Sequence, residues 1–301
     1  MFDLWVPITL GAAFCQNIRS ALQKHLKSSL STGGATFVRF FYGLPFALVY
    51  LAVVQQTSGT DLPQPTTRFW VFALLGGLTQ ILATALLVYL FSFRNFAVGT
   101  TYAKTETVQA AAFGLLILSD TLTLGSLAAI LVSLAGVMAI SAARQDFGLR
   151  SLFTSWTQKT ALIGLCSGAF FGLSAVSYRS ASLSLEGGFL LQAAFTLAVV
   201  LSMQTLGMGL YLRWRQPGQF GAVLRQWKPA GLVGLSGMLG SVGWFTAMTL
   251  ENAAHVKALG QVELVFTFIV SVLFFKERTN RTELVGILLV VGGILLLLLG
   301  T

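Results

Sequence analysis

Charge is what this sequence has least of. Asp, Glu, Lys and Arg supply 10% of its 301 residues, where a water-soluble domain carries roughly 25%. Hydrophobic residues supply 55%, so the chain cannot hide its apolar surface in water and lipid is its intended solvent. Only two cysteines occur, Cys15 and Cys166, both inside apolar runs. That placement excludes a disulfide framework and leads us to expect reduced, buried thiols. The two histidines, His25 in a basic loop and His255 at a span start, suggest no metal site, and nothing calls for a cofactor. No P-loop pattern is present, which excludes ATP hydrolysis as the chain's own energy source. The N-terminal stretch lacks a basic leader segment and carries Asp3, so it is read as a first membrane span rather than a signal peptide. Bulky Phe14 before Cys15 argues against lipoprotein processing there.

What is present is a series of apolar runs punctuated by Gly, Pro and charge. Spans are expected near 3–23, 36–56, 69–91, 97–118, 122–142, 159–180, 187–212, 229–250, 255–275 and 281–300. The net charge of +9 is no nucleic-acid footprint, because the basic residues occupy the short gaps, where they act as topology signals. The expected fold is an all-α integral membrane protein of ten transmembrane helices.

Those helices repeat. A displacement of 157 positions superposes Glu106 on Glu263, Gly11 on Gly168, Trp70 on Trp227, Asn95 on Asn252, Asp120 on Glu277 and Gly136 on Gly293. Around the second and seventh spans, Gly33-Gly34 align with Gly187-Gly188 at a displacement of 154. The units are residues 1–145 and 157–301. Five is odd, so the second unit enters the membrane from the opposite side and the repeats are inverted. Equivalent loops then face opposite sides and should differ in basic content, and they do. Lys24 and Lys27 correspond to Arg179 and Glu186, and Arg94 to Glu251. The loops around Asp61 and Asp120 correspond to ones bearing Arg213, Arg215, Arg225 and Lys228, and Lys276, Arg278 and Arg281. Odd-numbered loops are expected in the cytoplasm, and both termini outside.

The run Glu263-Leu264-Val265-Phe266 through Phe275-Lys276-Glu277-Arg278, with Glu283-Leu284-Val285-Gly286 and Val291-Gly292-Gly293, resembles the EamA domain of the drug/metabolite transporter superfamily. Glu106 to Asp120 with Gly136 is a weaker copy, so the resemblance covers essentially the whole chain. It implies a ten-helix alternating-access carrier. Members often have Pro directly after the first acidic residue of this pattern, but Thr107 and Leu264 stand there, which puts a proline-dependent helix break in doubt. The resemblance names no substrate.

An ionisable group at bilayer depth costs roughly 2.5–3.5 kcal/mol on insertion scales and so usually has a use. Glu106 and Glu263 lie mid-span and are each other's repeat mates. They are candidates for proton coupling and for countering the charge of a cationic or zwitterionic solute. The competing role is structural, hydrogen-bonding a helix break or pairing with Lys104 or Lys257. Tyr102, Glu106, Gln109 and Phe113 recur at helical spacing, either as a cavity lining or as an inter-helix face. Gln16, Asn17 and Gln80 are candidate solute hydrogen-bonders. Arg19 and Arg39 are expected to snorkel to the interface. Trp244 shares a small-residue face with Gly237, Gly240 and Ser241, suited to ligand stacking or close packing. Asp120 and Glu277 are expected to cap turns and meet the next span's N-terminus. Gly125, Gly136, Gly286, Gly292 and Gly293 should permit close helix contact.

The sequence therefore reads as a secondary active transporter of the bacterial inner membrane and not as an enzyme. It would move an amino acid, amine or organic cation, export favoured, by alternating access with possible proton coupling. A facilitator or exchanger of a nutrient such as a nucleoside, sugar or choline-like solute is the alternative. An intramembrane enzyme on lipid-linked substrates is the remote one, since the loops are short and poor in catalytic residues. Expected partners are the solute and membrane lipids, without nucleic acid, for a functional monomer or a homodimer.

Overall fold

The computed structural model describes residues 3–93, 96–143, 157–273 and 281–300, and these are helical with no strand among them. The helices are α1 (Trp5–Leu26), α2 (Thr32–Phe41), α3 (Leu44–Ser58), α4 (Thr67–Leu90), α5 (Phe96–Ala103), α6 (Glu106–Leu118) and α7 (Leu124–Ala143). After residue 156 come α8 (Lys159–Leu183), α9 (Phe189–Arg215), α10 (Gln219–Arg225), α11 (Trp227–Leu250), α12 (Ala253–Gly260), α13 (Val262–Leu273) and α14 (Arg281–Gly300).

Local chemistry sets many of the boundaries. Ser31, Thr66 and Asn252 accept the orphan amides of Gly34, Phe69 and Ala254 at the starts of α2, α4 and α12. Gly59 ends α3 at φ 64°, and Ser119 ends α6 at φ 56°. The helix ends repeat at a displacement of 157 in α5 and α12, in α7 and α14, and in the stretch α2–α3 against α9. The last pair revises the 154-residue displacement expected there. Gly33 and Gly34 lie in the first turn of α2, whereas Gly187, at φ 103°, and Gly188 precede α9.

Among the described residues, seven stretches are long and apolar enough to cross a membrane: Thr32–Ser58, Thr67–Leu90, Leu124–Ala143, Lys159–Leu183, Phe189–Arg215, Trp227–Leu250 and Arg281–Leu299. The polar residues of α1 and the interruptions α5–α6 and α12–α13 keep those stretches out of this set. The outer surface is apolar, with Leu116 78% and Leu124 86% exposed. Small and hydroxylated residues such as Ser167, Ser177, Ser180 and Thr196 are fully buried. This arrangement suits lipid, where close backbone packing rather than hydrophobic burial joins helices.

The three most extensive helix pairs, α7 with α14, α4 with α8 and α1 with α11, each join the two halves of the chain. Glycine makes these approaches possible. A Cβ on Gly136 would stand 2.6 Å from the Gly286 carbonyl oxygen, and one on Gly293 2.8 Å from that of Ala129. Gly292 has nothing within 4 Å of such a Cβ, which removes it from the close-contact set. Ser31, after α1, is hydrogen-bonded to Gln216, between α9 and α10, and to Gln219, the first residue of α10. At the other ends of the helices, Arg179 of α8 reaches both Asp120 and the C-terminal end of α11.

Candidate functional site

Two helices are broken at the centre, and each break is followed by an acidic residue. Between α5 and α6, the amides of Lys104 and Thr105 bond three residues back to Thr101 and Tyr102 at 3.0 and 3.1 Å. Between α12 and α13, Gln261 does the same to Ala258 at 3.1 Å. Neither break contains proline, so the doubt attached to Thr107 and Leu264 does not extend to the breaks themselves. Thr107 instead accepts a hydrogen bond from the Gln261 amide at 2.9 Å, tying one break to the other. Glu106 and Glu263 each enter the first turn of the following helix, where the dipole favours a negative charge.

Different neighbours support the two breaks. Gly164, Gly168 and Gly172, spaced four apart on α8, let its backbone lie against α5 and α6. A Cβ on Gly168 would stand 2.8 Å from the Ala103 carbonyl oxygen, and one on Gly172 2.9 Å from the Ala110 amide. On the other side, the Asn17 side-chain amide donates to the Glu263 carbonyl oxygen at 3.1 Å. The sequence reading noted Gly168 only as a repeat mate, although the four-residue glycine spacing was the available signal.

The charges pair crosswise. Lys104 forms an ion pair with Glu263, and Lys257 stands 3.7 Å from Glu106. Gln16 donates to the second Glu263 oxygen at 3.3 Å. The Lys257 ammonium also lies 4.9 Å from the Trp244 ring centroid, close enough for cation–π attraction. These groups border a cavity of about 240 Å³, whose polar wall includes Gln16, Asn17, Arg19, Lys104, Glu106 and Glu263. Leu87, Phe91, Phe171 and Leu264 contribute its apolar wall. A smaller void of about 20 Å³ shares Gln16, Phe171 and Lys257 with it and is bordered by Arg39, Gln80, Tyr178 and Trp244. It has room for about one water. Behind it, Tyr178 donates to Gln80 at 3.0 Å and stacks on Phe245 at 4.5 Å, while Gln204 donates to Gln80 at 2.9 Å.

Of the residues singled out from sequence, Gln16, Asn17, Glu106 and Glu263 meet at the larger cavity, and Gln80 and Trp244 at the smaller void. The four-residue stripe separates. Only its Glu106 borders the cavity, while Gln109 donates to the Leu165 carbonyl of α8 at 3.4 Å. Tyr102 is buried with Ala161, and Phe113 packs on an apolar cluster. The break after Ala103 takes Tyr102 out of register with Glu106, and the α8 glycines bring backbone against Gln109. Arg19 and Arg39 do not reach the interface but are buried, at 4% and 5% exposure. Cys166 is exposed rather than buried. Asp120 faces the Arg179 guanidinium at 3.7 Å, and it is Thr123 whose hydroxyl caps α7 by accepting from Ser126. Arg94, Asn95, Lys276, Glu277 and Arg278 lie outside the described residues. Arg179, Tyr178, Gln204 and Gln261 were missed as contact residues, because nothing local to their positions in the sequence marks them.

Lipid-suited helices enclosing a chamber lined by charge define a multi-pass membrane protein of the transporter class. The model of the EamA-like transporter family matches residues 3–142 and again 158–299, and the chain belongs to that family. It is 27% identical over 135 residues to a Sinorhizobium protein named "Uncharacterized transporter in cobO 3'region", a match covering 44% of this chain and 92% of the relative. A solved crystal structure, titled only as that of a protein, superposes with a TM-score of 0.70 at 14% identity. That match covers 98% of this chain and 96% of the other, and it bears on the fold alone.

Proposed function

We propose that this transporter is a secondary carrier with ten crossings in two inverted five-helix units, and that it moves a small metabolite by alternating access. The carrying observation is the pair of crosswise bridges. Lys104–Glu263 and Lys257–Glu106 each join one unit to the other beside the cavity, so rocking one unit against the other must strain or exchange both. Glu106 and Glu263 then act first as gate carboxylates, and their pairing weakens the case for a free counter-charge to an organic cation.

Inversion is supported by the ends that meet. Ser31, between the first two spans, touches the segment after α9, while Asp120, Arg179 and the end of α11 meet elsewhere. The first of these ends carries Lys24, Lys27, Arg213 and Arg225 and faces the cytoplasm of a bacterial inner membrane in this reading. The cavity is bordered by the later residues of α1 and α4 and so opens toward that end, with the Tyr178–Gln80–Gln204 contacts closing the opposite path.

The test uses purified protein in liposomes, with labelled amino acids, carboxylates and amines supplied as counterflow pairs. Saturable uptake of at least one class, lost in Lys104→Glu and recovered in Lys104→Glu/Glu263→Lys, supports the reading. No uptake of any class above protein-free vesicles, or equal activity of the single reversal, overturns it. Repeating the assay with an imposed proton gradient decides whether either glutamate couples protons.

A further inference from the structure

We infer that the transported solute carries an anionic head group, of the monocarboxylate class, and that Arg19 binds it. This rests on the carrier reading above and names the chemistry of its solute. Five charged side chains border the cavity. Glu106 and Glu263 are taken up by Lys257 and Lys104, and Arg19 is the cation left over. Its guanidinium has one contact of 3.4 Å, to the neutral Ser20 hydroxyl, and its Nε is buried with no acceptor. Arg39, the charged residue beyond it at the smaller void, is likewise held by a neutral group, the Thr84 hydroxyl at 3.2 Å.

The charge of Glu106 acts on Arg19 at longer range while Glu106 itself stands against Lys257, so the desolvation of this buried guanidinium is compensated only in part. Guanidinium presents a planar fork of donors that fits a carboxylate with two parallel hydrogen bonds. One bound monoanion balances the surplus charge of the larger cavity, so the loaded site rearranges at bilayer depth as a neutral assembly. A cation would add to the surplus, and the ammonium of a zwitterion would compete with lysines for carboxylates already paired. Phe91, Phe171 and Leu264 on the other wall suit an apolar body behind the charged head.

The experiment measures binding of benzoate, benzamide and benzylamine to the purified full-length protein by thermal shift. The three probes share one shape and differ in charge. Benzoate is expected to stabilise saturably, and its two analogues are not. Arg19→Gln should weaken benzoate binding about tenfold or more, the loss of a charge-assisted hydrogen bond, without lowering the melting temperature of the unliganded protein. Arg19→Lys, which keeps charge and loses the fork, should fall between. Preference for benzylamine, no saturable benzoate response at millimolar concentration, or benzoate binding unchanged in Arg19→Gln and Arg19→Lys overturns the inference. Uptake of amines alone by the liposomes would overturn it and leave the carrier standing. Benzoate bound at Arg19 with no solute transported would overturn the carrier and leave the anion site.

Discussion

Lys257 and Glu106 face each other at 3.7 Å across the two halves of the chain. Lys104 and Glu263 repeat the relation in the opposite direction, yet the lysines are not repeat mates. Displaced by 157, Lys104 falls on Gln261 and Lys257 on Thr100. The symmetry lies in the carboxylates and the helix breaks, and each lysine reaches its partner from a different place.

Neutralising one carboxylate leaves its buried lysine unpaired. Glu106→Gln should therefore lower the melting temperature and slow transport, while Glu106→Gln/Lys257→Gln should regain much of the lost stability. A double-mutant cycle on melting temperature checks the coupling. Additive effects would mean that the 3.7 Å pair is energetically idle.

Adding a side chain to the α8 glycines should push α8 off the break. Gly168→Val and Gly172→Val are expected to destabilise by about 1–3 kcal/mol or more, the usual range for overpacking. Gly207→Ala, with nothing within 4 Å of its Cβ, should be neutral. Thermal denaturation of the three variants side by side makes the comparison.

Arg179 donates to the carbonyls of Met248 and Glu251 at 2.8 and 2.5 Å, where a helix C-terminus favours a cation. Arg179→Ala leaves those acceptors and Asp120 without it and should cost about 1.5–3 kcal/mol. Arg179→Lys should recover only part, since a single ammonium cannot span both the carbonyls and the carboxylate. Melting temperatures of the two variants give the measurement.

Acidification should act at the α11–α12 turn. The hydrogen bond from His255, at 3.1 Å, holds the Glu251 carboxyl below its ordinary value, helped by the Asn252 amide and opposed by partial burial. A carboxyl lowered on folding contributes stability that is fully present above its unfolded value, 4.5. That contribution is lost as pH falls through the lower folded value. The melting temperature should drop across this acidic window in the wild type and drop less in Glu251→Gln. Equal slopes for the two proteins would exclude this contribution.

Much of the framework is legible in the residues. Long apolar runs follow from the thickness of a bilayer, and the recurrence of Glu106 as Glu263 and of Gly136 as Gly293 exposes the duplication without any contact being known. The broken helices were harder to read, because Thr107 and Leu264 occupy the places where proline would have marked them. The break after Ala103 takes Tyr102 out of register with Glu106, while Gln109, on the same helix as Glu106, is taken up by the α8 backbone and Phe113 by an apolar cluster, contacts that spacing could not foresee.

Periodicity and composition report what each segment does with its own neighbours, and they determined that this chain lives in lipid as a doubled helical unit. Which lysine meets which glutamate is a different kind of fact, because residues about 150 positions apart come together only when helices from both halves interlock. Arg19 shows the difference most plainly. Near a span end it reads as a side chain bound for the interface, and only the packing of α1 on α11 and beside the broken helices buries its charge where the carboxylate acting on it, Glu106, already stands against Lys257.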